Sequence, residues 1–159
     1  TINLDELFLA FSASLSKFDN EHGMANSRAR LRMTTLYQVA AANKGIVVGT
    51  GNKVEDFGVG FYTKYGDGGV DISPIADCNK SEIWEIGKEL NILREIIEAP
   101  PTDGLWDDGR TDEGQLGMTY KDIELAMDDP NSPNREKYEK IRLSNLHKME
   151  PIPICKIPR

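Results

Sequence analysis

Two side chains that could serve a metal-bound nucleotide follow a short apolar segment. Thr50 lies just beyond residues 46–48 (IVV), and Glu55 follows five residues later. Ligands of open α/β sheets bind at the carboxyl ends of strands, where glycine lets the backbone come close. A hydroxyl and a carboxylate there could bind a magnesium–nucleotide complex. A tight turn carrying a surface glutamate explains the pattern equally well, and both interpretations stay open.

An arginine triplet comes before that segment. Surface charge is the ordinary explanation for Arg28, Arg30 and Arg32. Arg30, however, precedes Met33 and Tyr37 by three and seven residues, so it extends an apolar helix face. An inward arginine needs a carboxylate or phosphate partner. The spacing therefore favours anion binding by Arg30.

A second charged group surrounds three glycines. Lys64, Asp67 and Asp71 lie within TKYGDGGVD, which fits either a ligand site or a tight turn. The segment differs from a phosphate loop of the form S-G-G-x-D-S. Asp67 replaces the serine and would repel phosphate, and Pro74 prevents a helix from following.

Two further sets of cations stay ambiguous. Lys80 begins a predicted helix, where a cation is unfavourable unless it reaches an anion at the same helix end. It is either a surface chain or an anion ligand. His147 and Lys148 lie near the end of another predicted helix, and such a pair is more often a surface feature.

The elements that position these residues begin with two helices. Leu4, Phe8, Phe11 and Leu15 recur at helical spacing, and residues 17–25 are predicted to form a loop. Asn26 is then expected to cap a second helix that Gly45 ends. Its buried stripe is predicted to be Met33, Leu36, Tyr37, Ala40 and Ala41.

The second half reads as short strands and helices. Residues 46–48 predict a buried strand and residues 70–72 a brief second one. Asp77 or Asn79 is expected to cap a helix over 81–90 that turns Ile83, Ile86, Gly87 and Leu90 inward. Residues 100–117 predict a long ordered loop. Thr119 caps the next helix, and Pro133 starts one that reaches about His147.

These elements predict an α/β fold. One clear buried strand is too few for an independent sheet, so we expect a portion of a doubly wound, mainly parallel sheet. The chain of 159 residues is predicted to be a single incomplete domain over 1–159, with an extended tail over 149–159.

Composition limits the kinds of binding partner and the cellular location expected for the chain. A net charge of −7 disfavours nucleic acid and anionic membranes, which require clustered cations. No apolar run is long enough to span a membrane, and no signal peptide is evident. Cys78 and Cys155 lie far apart without a metal-binding spacing, which fits a reducing cytoplasm.

Several segments, taken in order, resemble the NAD synthetase family. They are NSRARLRM, VVGTGNKVE, FYTKYGDGGVDISPI, the DxxK of Asp77 to Lys80, EAPPTDGLW, TDEGQLGMTYKDIE and the late His-Lys. The resemblance covers about residues 22 to 150 and is closest to the ammonia-dependent type. It implies the fold of the ATP pyrophosphatases, which is the adenine nucleotide alpha hydrolase-like type.

The resemblance implies a reaction and its site residues. ATP adenylates the nicotinate carboxylate of deamido-NAD, and ammonia then displaces AMP. Thr50, Lys80 and Thr102 match ATP-contacting positions, and Glu55 matches a magnesium ligand. Arg30, Lys64, Asp71, His147 and Lys148 match deamido-NAD contacts. A homodimer is also implied, and no catalytic residue is assigned.

One family segment is absent from this sequence. Members carry S-G-G-x-D-S near the N-terminus, and without that phosphate anchor we expect the chain alone to have negligible synthetase activity. Two alternatives stay open. The chain could belong to an ATP pyrophosphatase that amidates another acid, as GMP synthetases do, or it could be a non-catalytic binding or dimerisation module.

Overall fold

A computed structural model describes residues 1–158; Arg159, the last residue of the predicted tail, lies outside them. The described chain is mostly helical. Its α-helices are α1 (Asp5–Ser14), α2 (Glu21–Ala42), α3 (Lys80–Glu89), α4 (Arg94–Ile97), α5 (Asp112–Leu116), α6 (Tyr120–Asp128) and α7 (Arg135–Met149). A 3₁₀-helix covers Ser16–Phe18, and a π-helix covers Lys53–Val59.

Helix α2 begins earlier than predicted. The side chain of Asn20 accepts the Gly23 N–H at 2.7 Å and caps the helix. Asn26 therefore lies inside α2, and the predicted loop over 17–25 is wrong. At the other end Lys44, with φ 54°, takes the left-handed position expected of Gly45. Gly45 instead donates its N–H to Ala40 O at 2.8 Å.

The predicted apolar stripe of α2 is also wrong. The helix buries Ala25 and Ala29, whereas Leu36 is 55% exposed and Arg30 is exposed. α1 packs against the first half of α2, where Arg28 lies 4.5 Å from the Phe8 ring centroid. In the second half Met33, Tyr37 and Ala40 are only half-buried, and Ala41 is exposed.

A single parallel bridge joins Val48 to Ile72 within residues 1–158. Gly49 N donates to Ile72 O at 2.7 Å, and Asp71 N donates to Val47 O at 2.9 Å. The two predicted strands are therefore paired, but neither extends into a regular strand. Val47 is buried while Ile46 and Val48 are exposed, so the expectation of a fully buried strand is wrong.

The main core forms where the π-helix, α6 and α7 meet. Val54 and Val59 of the π-helix pack with Ile123 and Ala126 of α6, and all four are fully buried. Burying a side chain of this size typically contributes about 1.5–3 kcal/mol. This core fixes the π-helix, an element that the sequence analysis does not predict.

Helix α7 starts after Asn134, two residues later than Pro133 predicted, and ends at Met149, inside the predicted tail. Three of its side chains donate hydrogen bonds to backbone carbonyls of the π-helix region. We call Arg142, Asn145 and Lys148 the donor row. Arg142 donates to Phe57 O and Gly58 O, and Asn145 donates to Val59 O at 3.0 Å. Lys148 Nζ donates to Gly60 O and Tyr62 O, each at 2.8 Å. These donors satisfy carbonyls that the end of a helix leaves unpaired.

The α3–α4 hairpin is less buried than predicted. Asn79 is the N-cap of α3, as expected, and its N–H donates to Glu82 Oε2 at 2.7 Å. Ile86 and Leu90, however, are exposed rather than inward. Residues 151–158 form no helix or strand and are exposed. None of the helices described is long and apolar enough to cross a membrane.

Candidate functional site

A cavity of about 460 Å³ lies beside the parallel bridge. Thr50, Glu55, Lys80 and Thr102 all line it, so the structure brings together residues from three separate segments. Their side chains offer two hydroxyls, one carboxylate and one ammonium. Such a set can bind a phosphorylated ligand and its cation.

Glu55 lies in the π-helix, which positions its side chain at the wall of this cavity. Asn52, 1% exposed, accepts the N–H groups of Val54 and Glu55 at 3.0 Å each and so begins the π-helix. Lys53 N then donates to Cys78 O at 2.9 Å, which ties this end to the segment before α3. Glu55 and Lys80 therefore meet although 25 residues separate them.

Lys80 finds an anion at the start of α3. Its Nζ lies 2.8 Å from Glu55 Oε1, and the two side chains are 17% and 16% exposed. The carboxylate offsets the unfavourable interaction between the ammonium and the positive end of the helix. Of the two alternatives for Lys80, the one in which it reaches an anion is therefore correct, and that anion is a residue of this chain.

A second carboxylate belongs to the same cluster. Asp112, the first residue of α5, is 6% exposed, and its Oδ2 accepts from the Tyr120 hydroxyl at 3.0 Å. Its Oδ1 is buried and has no hydrogen-bond partner. Burial raises the pKa of Asp112, and the hydrogen bond from Tyr120 partly opposes this effect. Asp112 also lines the cavity, so a buried acceptor without a partner lies at its wall.

The loop that carries Thr102 forms one wall of the cavity. Asp112 N donates to Pro101 O at 3.0 Å, and this hydrogen bond closes the loop formed by residues 101–112. Two arginines of α2 hold the outer part: Arg28 donates to Leu105 O at 2.9 Å and Arg32 to Gly104 O at 2.8 Å. The predicted long loop is confirmed up to residue 111, where α5 follows it.

Four of the other predicted residues form a second group outside this cavity. Arg30 Nε donates to Lys64 O at 3.2 Å, and Lys64 Nζ donates to His147 O at 2.7 Å. Lys148 follows His147, and burial lowers the pKa of its ammonium. Because Arg30 is exposed, the expectation that it points inward is wrong.

Asp71 stands apart from both groups. Its Oδ2 accepts from Val47 N at 2.7 Å, and its Oδ1 accepts from the Tyr37 hydroxyl at 3.2 Å. These contacts place the carboxylate at the parallel bridge. In this structure Asp71 therefore stabilises the pairing of the two short segments.

The family model described as NAD synthase matches residues 1–152. The chain belongs to the NAD synthase family. An NH3-dependent NAD+ synthetase from Carboxydothermus hydrogenoformans is 46% identical over 127 residues, which cover 77% of this chain and 51% of that protein. The chain spans about half the length of the curated relatives it matches.

Solved structures of NAD and NMN synthetases resemble the chain. An NMN synthetase from Francisella tularensis superposes with a TM-score of 0.88 at 34% identity, covering 99% of this chain and 65% of that one. An NH3-dependent NAD synthetase from Campylobacter jejuni, in complex with nitrate, gives 0.71 at 24% identity and covers 98% and 64%. The second likeness concerns the fold alone. Both agree with the predicted α/β fold of the ATP pyrophosphatase type.

Membership in the NAD synthase family does not by itself reveal Asp112 and Tyr120, and sequence reasoning missed both. They lie in TDEGQLGMTY, a segment that resembles the family but whose residue spacing matches no catalytic or ligand-binding motif. Thr111 and Thr119, each with an acidic residue within the next three positions, indicate two helix starts. Those caps could have predicted that α5 and α6 begin close together. They could not show that Tyr120 reaches Glu55.

Proposed function

We propose that this chain belongs to an ATP-dependent synthetase that amidates the nicotinate carboxylate of deamido-NAD with ammonia. The observation that carries the proposal is the shared cavity of Thr50, Glu55, Lys80 and Thr102. The sequence resemblance alone assigns all four to ATP or its metal ion. Their convergence, together with family membership, supports the assignment.

The reaction forms and breaks one bond in each of two steps. A carboxylate oxygen attacks the α-phosphorus of ATP, and the bond from phosphorus to the pyrophosphate oxygen breaks. Ammonia then attacks the carbonyl carbon of the acyl adenylate, the carbon–oxygen bond to AMP breaks, and the nitrogen loses a proton. The carboxylate becomes electrophilic only because AMP is a good leaving group.

The side chains in the cavity can stabilise the negative charge of the phosphates in these steps. Lys80 supplies positive charge beside the phosphates, and the hydroxyls of Thr50 and Thr102 donate hydrogen bonds to phosphate oxygens. We assign Arg30, Lys64, Asp71, His147 and Lys148 to the dinucleotide. The Lys64 ammonium donates to the His147 carbonyl, so at least these two positions lie side by side, as a shared ligand requires.

Mg²⁺ fits the carboxylates of the cavity. Glu55 uses Oε1 for Lys80 and Tyr120, and Asp112 keeps its buried Oδ1 without a partner. In residues 1–158 no three acidic, histidine or cysteine side chains gather into a metal cage. Mg²⁺ commonly needs only one or two carboxylates because it keeps water and phosphate ligands. When bound, it would neutralise charge that develops on the phosphates.

Two finer features belong to the same proposal. The parallel bridge between Val48 and Ile72 supports a larger doubly wound, mainly parallel sheet. We also propose a homodimer, as the resemblance implies. The exposed apolar side chains of α2 and of the α3–α4 hairpin are compatible with further packing partners.

A mononucleotide is the second candidate substrate. The solved relative with a TM-score of 0.88 is an NMN synthetase, which favours amidation of nicotinate mononucleotide as an alternative. The two substrates carry the same reacting carboxylate and differ by one adenylate. Discrimination therefore depends on contacts away from the reacting carbon.

Calorimetry with three acids tests the proposal. The protein is titrated with deamido-NAD, nicotinate mononucleotide and XMP in the presence of ATP and Mg²⁺. We expect deamido-NAD to bind most tightly and XMP not to bind. A preference for XMP, or no binding of ATP, would refute the proposed function, and a preference for the mononucleotide would establish the second candidate.

A further inference from the structure

A buried tyrosine contacts every charged side chain of the cavity cluster, defined here as Glu55, Lys80 and Asp112. The Tyr120 hydroxyl lies 2.5 Å from Glu55 Oε1 and 3.0 Å from Asp112 Oδ2. Lys80 Nζ lies 4.9 Å from the centroid of its ring. Tyr120 itself is 1% exposed, so water does not compete for these contacts.

The hydroxyl acts as a donor to Glu55. A phenol carries one proton and donates it to one carboxylate at a time. The 2.5 Å contact with Glu55 has the length of a charge-assisted O–H···O⁻ hydrogen bond. Because a carboxylate oxygen can only accept, the phenol is the donor in this contact.

The ring of Tyr120 is held from two sides. The Trp84 ring of α3 meets it edge-on, with centroids 6.1 Å apart and an interplanar angle of 80°. Tyr120 N also donates to Glu113 Oε1 at 2.8 Å, which fixes the start of α6 beside α5. Packing of the ring and the backbone hydrogen bond therefore help to hold the hydroxyl beside its carboxylate partners.

We propose that Tyr120 is a positioning residue of the metal–nucleotide site, whose hydroxyl donates to and orients the Glu55 carboxylate beside Asp112, while its ring supports Lys80. This inference rests on the proposed function, because it takes the cavity to be the ATP site. The resemblance assigned Tyr120 no role. Removing a group that orients a metal ligand typically changes metal affinity or activity about ten- to a hundred-fold.

The test replaces Tyr120 with phenylalanine. Tyr120→Phe keeps the ring, and with it the contacts to Lys80 and Trp84, but deletes the hydroxyl. Tyr138→Phe is a matched control, because Tyr138 is 5% exposed in the same core and its hydroxyl has no hydrogen bond to another described residue. ATP binding is measured by calorimetry over a series of Mg²⁺ concentrations, and melting temperature is recorded for each variant.

The expected result is a specific change in Mg²⁺ dependence. Tyr120→Phe should need about ten- to a hundred-fold more Mg²⁺ for half-maximal ATP binding, and saturating Mg²⁺ should restore that binding. Tyr138→Phe should match the unaltered protein. An unchanged Mg²⁺ requirement in Tyr120→Phe, or an equal shift in Tyr138→Phe, would overturn the role of Tyr120 alone. If the unaltered protein bound no ATP, the proposed function would fail as well.

Discussion

Lys80 and Glu55 form the one ion pair between described residues in which both side chains are more than four-fifths buried. The pair joins the start of α3 to the π-helix across the cavity. In contrast, the Lys88–Glu85 pair lies on the surface of α3, where its side chains are 57% and 71% exposed. Two lysines of α3 are therefore paired with glutamate in very different surroundings, one mostly buried and one exposed.

Lys80→Met should destabilise the protein by about 2–4 kcal/mol, because it leaves Glu55 mostly buried without its cation. Lys88→Met, the control on the same helix, should cost less than about 1 kcal/mol. Urea unfolding of both variants measures the difference in free energy of unfolding. Equal losses would show that burial of the Lys80 pair has no energetic effect.

Asp56→Asn should stabilise the protein at neutral pH. Burial, followed by the charges of Glu55 and Asp67, raises the pKa of Asp56 from 3.8 to about 6. The folded chain thus binds this proton more tightly than the unfolded chain, and the free energy of unfolding falls as the pH rises from about 4 to about 6. The shift corresponds to about 3 kcal/mol, which solvent screening of a half-buried group reduces to about 1–2.

Urea unfolding at pH 4.5 and pH 7.5, without divalent ions, checks this. Asp56→Asn should gain about 1–2 kcal/mol at pH 7.5 and little at pH 4.5. The exposed Asp19, changed to asparagine, is the control and should respond equally at both values. A gain that does not depend on pH would contradict the assigned cause.

Gly66→Ala should cost about 1–3 kcal/mol, the usual effect of overpacking. An added Cβ would lie 2.8 Å from Thr63 Cγ2 and 2.9 Å from Ala29 Cβ, where the glycine-rich segment crosses α2. Gly87→Ala is the control: inside α3 its Cβ would meet Ile97 at an ordinary 3.5 Å. That variant should gain about 0.4–1 kcal/mol. Thermal unfolding of the pair would show opposite signs, and a stabilising Gly66→Ala would refute the close approach.

Asn145→Ala should cost about 1–3 kcal/mol, because Val59 O is left without its donor in the core. The neighbouring Ser144→Ala, which loses only a bond to Ile141 O in its own helix, should stay within about 0.5 kcal/mol. Chemical denaturation of both variants compares them. Similar values would mean that the donor row does not stabilise the π-helix.

Local sequence signals predicted the caps of α3 and α6 but not the start of α2, and they failed wherever burial depended on distant residues. Thr119 caps α6 as expected, because its side chain accepts the Asp122 N–H only three residues away. Leu36 and Leu90 have the right spacing for a buried face but are exposed, since spacing cannot say whether another element covers them. The π-helix was missed because its stability comes from α6 and α7 rather than from its own residues.

Some residues of the candidate site could be predicted from the sequence and others could not. Resemblance selected Thr50, Glu55, Lys80 and Thr102, and all four line one cavity. It did not select Tyr120, whose importance comes from a contact 65 residues away in sequence. Because this phenol meets its carboxylate only in the folded chain, the spacing of residues in the sequence does not predict the contact.

The donor row of α7 also determines the rotational setting of that helix. A helix packed by apolar side chains tolerates small rotations, whereas Arg142, Asn145 and Lys148 must each meet a particular carbonyl. Inserting one residue before Arg142 would turn all three by about 100°. The insertion would therefore release the π-helix carbonyls together. Through the π-helix, the register of a distant helix governs where the Glu55 carboxylate lies.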